Sequence, residues 1–148
     1  MKNLVLVFSL LFLVSCSVEE PMREYTTAIR NTSNQPLHVL ILGDTIGRNH
    51  PVYDTLVNTT LNTGESYNRK YKHESFSGFG AVINYSEYLF IGTNKGYICD
   101  DVNNNDSLCF TNKKNLSMEY NVDNFTLENG VYYYDITQED YENAYELP

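Results

Sequence analysis

The chain holds 148 residues, with 19 acidic against 10 basic side chains and a formal charge of −9. That length suits one domain with a substantial core, and not comfortably two. An acidic balance with no basic block disfavours nucleic acid and anionic lipid headgroups as partners, and the scattered acids describe a solvated surface rather than an interaction tail.

In chain order, Lys2 precedes an apolar run from Leu4 to Val14 broken only by Ser9. The run is too short for a bilayer core, which takes roughly 20 apolar residues, and it has the flank of a secretory signal. Its boundary, Leu13-Val14-Ser15-Cys16, resembles the bacterial lipobox, in which the signal is cut directly before a cysteine bearing a diacylglycerol. The resemblance implies a signal peptide over residues 1–15, lipidation at Cys16, and a lipidated tether over residues 16–23 that carries Glu19, Glu20 and Pro21. Each buried acyl CH₂ contributes about 0.8 kcal/mol, so two or three chains anchor stably where one does not. Loss of the leader removes Lys2 and no acid, which takes the formal charge from −9 to −10.

Residues 24–148 read as a single all-β domain. Tyr occurs 13 times and Trp never, among frequent Thr, Val and Ile and many Asn and Gly. The first group fits a pleated, half-buried surface and the second fits turns. Residues 25–31 are predicted as a first strand, joined in a hairpin through 32–36 to a buried strand at 37–42. A loop over 43–51 leads to an extended stretch, 52–61, closed by Asn62-Thr63-Gly64-Glu65. Residues 66–72 alternate polar with Tyr, as a strand with one wet face does. Further strands are expected at 81–84, 87–91, 97–100, 107–111 and 117–122. The pair Asn129-Gly130 signals a hairpin before a last strand at 131–136. Short strands separated by frequent turn signals predict an antiparallel β-sandwich, immunoglobulin-like or jelly-roll-like. Thr137 with Asp140 makes a capping box, and Tyr141, Ala144 and Tyr145 follow at helical spacing, so a short C-terminal helix closes the chain.

Four stretches carry a family resemblance: LVSCS at 13–17, YTTAIRNTSNQPLHVLI at 25–41, LNTGESY at 61–67 and YYYDITQEDYENA at 132–144. With them the chain looks like the small surface lipoproteins of Bacteroidetes-type bacteria. That resemblance implies a β-sandwich anchored in the outer membrane and exposed at the cell surface. Glu19 and Glu20, close behind the lipidated cysteine, resemble an export address. The function expected is a non-catalytic surface binding or accessory module, with a protein or glycan ligand and no cofactor. The alternative is a small inhibitor or assembly factor for another envelope protein.

No catalytic pattern competes with that expectation. His38, His50 and His73 lack the HExxH spacing, and no serine sits in a GxSxG elbow. Asp101, Asn103 and Asn105 alternate like the first ligands of a calcium loop. However, Asp106 and Asn112 stand where that loop needs Gly and a bidentate Glu, so a polar hairpin tip is preferred and no metal is expected. Tyr132, Tyr133, Tyr134, Tyr141 and Tyr145 could form a binding platform, but strand packing explains them better. Asp44-Thr45-Ile46, Asp54-Thr55-Leu56 and Asp106-Ser107-Leu108 resemble a periplasmic O-glycosylation acceptor, which makes Thr45, Thr55 and Ser107 candidate glycan sites.

Two cysteines remain once Cys16 is lipidated. Pairing Cys99 with Cys109 about Asn104 sets Ile98 opposite Phe110, with Leu108 beside them on the core side. The cysteines then face one another on the opposite side, within bonding reach. An exported compartment permits a disulfide, and two reduced buried thiols are the alternative.

Overall fold

The computed structural model describes residues 21–44, 53–79, 85–100, 108–113, 116 and 122–147. The leader, Cys16, Thr45, His50, the segment 101–107 and the predicted strand at 81–84 lie outside the described residues. Two sheets face one another. The first holds β1 (Arg23–Asn31), β4 (Ser66–His73), β7 (Thr126–Glu128) and β8 (Val131–Ile136) in the order β4-β1-β8-β7. The second holds β2 (Leu37–Asp44), β3 (Tyr53–Leu61), β5 (Tyr85–Ile91), β6 (Lys95–Asp100) and β9 (Tyr145–Glu146) in the order β3-β2-β5-β6-β9. A short helix, α1 (Gln138–Asn143), links β8 to β9. The domain is an all-β sandwich; its pairs are antiparallel except β1 with β8, which run parallel.

Period-two patterning builds the core. Ile29 of β1, Tyr134 and Ile136 of β8, Leu37, Val39 and Ile41 of β2, and Leu89 and Ile91 of β5 are fully buried between the sheets. The hairpin at Asn129-Gly130 forms as the dipeptide predicts, with both residues at positive φ (51° and 81°), the geometry that matches the twist of its strands. The capping box forms as well: Asp140 N donates to Thr137 Oγ1 at 3.2 Å, and Thr137 N donates to Asp140 Oδ2 at 2.7 Å.

Two expectations are corrected. The segment 25–41 is not a hairpin, because β1 and β2 belong to different sheets and do not pair. Asn31 makes the corner between them. It is fully buried, and its Nδ2 donates to Gln35 O (2.8 Å) and Leu61 O (2.9 Å) while its Oδ1 accepts from Ser33 N and Ser33 Oγ. The Asn62–Glu65 turn is a second such corner, from β3 into β4, and Gly64 N donates to Asn31 O. With β8-α1-β9, three crossings between sheets gather at one end of the sandwich. β1 starts at the other end, and its nine residues span about 30 Å.

The cysteine hairpin is the second correction. Ile98 bridges Leu108, not Phe110, and it is Tyr97 and Cys99 that turn inward. The tight Tyr97–Phe110 stack, with ring centroids 3.9 Å apart, draws Phe110 toward the core beside Tyr134. Burying two aromatic rings outweighs burying Ile98 and Leu108. Of the strand expected at 107–111, the described residues contribute a single bridge at Leu108.

Candidate functional site on the outer face of the second sheet

The two outer faces differ in chemistry. On the first sheet, Arg30 lies 4.1 Å above the Tyr133 ring, bidentate to Asp135 (2.6 and 2.9 Å) and to Glu128 (2.8 and 3.0 Å). These bonds, first those to Asp135, raise the Arg30 pKa, and the same contact lowers that of Glu128. Ala28, opposite Tyr133 in the ladder, also faces outward yet is fully buried. Lys70 and Lys72 line the β4 edge, where charge discourages pairing with another strand.

The second sheet is different. Successive strands place Leu40, Tyr88, Ile98 and Leu108 in one row across β2, β5, β6 and the Leu108 bridge. A neighbouring row runs Thr60, His38, Phe90 and Gly96. Residues directly opposite in a ladder share a face, and the alternate residues Val39, Leu89 and Tyr97 are in the core, so both rows point outward. The Tyr88 and Phe90 rings are near parallel, with 10° between their planes and centroids 6.2 Å apart, and the His38 ring centroid lies 5.9 Å from that of Phe90. His38 Nδ1 is 3.1 Å from Thr60 Oγ1, which holds the imidazole in place. All five side chains, from Leu40 and Tyr88 to Ile98, His38 and Phe90, are only partly buried.

Beside Phe90, toward the corner end, opens a cleft of about 390 Å³ lined by Phe90, Thr93, Asn94, Lys95 and Leu147. Gly96 follows Lys95 and lies opposite Phe90 in the ladder. A Cβ there would collide with the Leu89 carbonyl and lie 2.9 Å from Leu147 Cδ1, so the ladder permits no side chain at this position. Lys95 Nζ sits 5.3 Å from the Tyr141 ring centre. The sequence reading missed this face. Its signal was the run of apolar residues at both parities in 37–42 and 88–91, the pattern of a strand covered on two sides.

The tyrosines at 132–145 are dispersed. Tyr134 is buried, Tyr132, Tyr141 and Tyr145 pack partly against the core, and Tyr133 lies under Arg30. Tyr97 donates to Asp140 O at 2.7 Å, and burial, then the charge of Asp140, pushes its pKa up to about 12. Thr55 is exposed on β3, an edge strand, and Thr45 and Ser107 lie outside the described residues. So do Asp101, Asn103 and Asn105; among the described residues no three His, Cys, Asp or Glu gather as a metal site.

Cys99 and Cys109 are bonded, with Cα atoms 4.6 Å apart, and both are buried. Closing so short a loop stabilises the fold by about 2–3 kcal/mol in the chain-entropy model. Reduction is expected to lower the melting temperature by about 10 °C, checked by scanning calorimetry with and without reductant. An unchanged transition would mean that the bond is absent from the native protein. No family model, curated protein or solved structure matches the chain.

Proposed function

We propose that the protein is a lipid-anchored, non-catalytic binding module of the outer membrane, displayed at the cell surface, that holds its ligand on the outer face of the second sheet. The observation that carries the binding role is that face: one row of partly exposed apolar and aromatic side chains, Leu40, Tyr88, Ile98 and Leu108, with Phe90 beside it in the next, where a solvated sheet has polar ones. The lipobox resemblance at Cys16 supports the anchor. A tether entering at Arg23 approaches the end of the sandwich remote from the cleft, so an anchored molecule would hold Phe90 and Lys95 away from the bilayer.

Two experiments test this. Palmitate labelling of the full chain in cells should be lost in Cys16→Ser, and a label that survives would sink the anchor. Cell-surface material retained by the native protein should be lost from Tyr88→Ser/Ile98→Ser, whose substitutions lie outside the core. Equal retention by that variant would remove the face from the function.

A further inference from the structure

We infer that the ligand of this face is a neutral saccharide, stacked on Phe90 and Tyr88 and bonded through its hydroxyls along the cleft; the inference rests on the binding role proposed above. A pyranose ring is amphipathic: its C–H groups form an apolar face and its hydroxyls a polar rim. The site has the complementary arrangement. Phe90 and Tyr88 present two rings at nearly one orientation on a sheet surface, and the negative face of an aromatic ring attracts polarised C–H groups.

Polar groups stand where the hydroxyl rim would fall. Thr93, Asn94 and Lys95 line the cleft on one side of Phe90, and His38 and Thr60 lie in its row on the other. A buried protein interface core is depleted of charged side chains such as Lys95, which favours a sugar over an apolar protein segment. The cleft volume of about 390 Å³ falls in the small-ligand range, suited to one or two sugar rings. Charge narrows the class further. The chain carries −9, so an acidic polysaccharide is repelled at long range and a neutral one is not.

The test is affinity electrophoresis of the full chain, in mild detergent, through non-denaturing gels containing dextran, laminarin, mannan or xyloglucan, with polygalacturonate and heparin as acidic counterparts. At least one neutral polysaccharide should retard the protein, and the retardation should persist in high salt. Phe90→Ala should bind at least ten-fold more weakly, while Asn68→Ala, on the opposite sheet, binds as the native chain does. Phe90→Leu keeps apolar bulk without a flat ring, so it also should lose the sugar, and its melting curve reports whether the fold survives. Retardation by none of the neutral polysaccharides, by the acidic ones alone, or equally in a folded Phe90→Leu, overturns the inference. Capture of a protein from the cell surface that Phe90→Leu retains and Phe90→Ala loses would overturn the sugar while leaving the binding face standing. If the native chain and Tyr88→Ser/Ile98→Ser retain the same material as well, both readings fall.

Discussion

Asp140→Ala should cost the domain about 4 kcal/mol and lower its melting temperature by about 15 °C. Asp140 is almost wholly buried, and its Oδ2 is the hub of three bonds. It accepts from Lys113 Nζ at 2.6 Å, from Thr137 N at 2.7 Å and from Thr137 Oγ1 at 3.0 Å. Truncation removes the reciprocal half of the capping box, the bond from Thr137 N, while Thr137 Oγ1 still accepts from the backbone N–H of residue 140. The larger effect falls on Lys113, whose side chain is only 15% exposed. Its ammonium also donates to Asp135 O and rests 4.6 Å from the Tyr134 ring centre and 4.8 Å from that of Phe110. These contacts are to neutral groups, and taking the Asp140 carboxylate away from a largely buried ammonium is costly. The double variant Lys113→Met/Asp140→Ala should therefore be more stable than Asp140→Ala alone. Urea melts of the three proteins check this; a double variant less stable than the single one would show that the ammonium is not the source of the loss.

Asn31→Ala is expected to cost about 3 kcal/mol, since each unpaired buried polar group costs about 1–3 kcal/mol. Removing the amide takes a donor from Leu61 O, leaves Gln35 O with the Ser33 Oγ donor at 3.1 Å, and releases Ser33 N and Ser33 Oγ from their acceptor. Because Asn31 ties the β1–β2 corner to the end of β3, the effect extends beyond one turn. Amide hydrogen exchange should quicken at Gly64, whose N–H bonds the Asn31 carbonyl, and at Thr32, which donates to Ile136 O. Asn31→Asp keeps the acceptor for Ser33 and replaces the donor, so it tests the Leu61 and Gln35 bonds separately. A loss below about 1 kcal/mol for Asn31→Ala would mean that water replaces the amide at this corner.

The difference between the outer faces also accounts for how the sandwich avoids pairing and exposure. On the first sheet, Arg30 lays its guanidinium over Tyr133 and places its charge between two acids. On the second, no comparable cation spans the Leu40–Tyr88–Ile98 row among the described residues. Leu40, Tyr88 and Ile98 are each left partly exposed.

Local chemistry made much of the fold legible in the sequence. Thr137 and Asp140 predict the cap because a side chain three residues along a first helical turn must reach back to the N-cap. Asn129-Gly130 predicts its turn because both positions need positive φ, and alternation locates β4 and β8 because strand side chains repeat every second residue. Those are short-range constraints, satisfied within a few residues. Tertiary structure alone decided the rest. A turn signal at 32–36 says that the chain reverses but not whether the next strand pairs or crosses, and Asn31 bonding to Leu61 O, 30 positions away, selects the crossing. Inward placement of Cys99 goes with the Tyr97–Phe110 stack, a long-range contact that alternation cannot supply, because alternation says which residues share a face and not which face turns inward. The candidate site is of the same kind. Leu40, Tyr88, Ile98 and Leu108 become one surface only when three separate strand pairings bring them into register, and no spacing along the chain encodes that row.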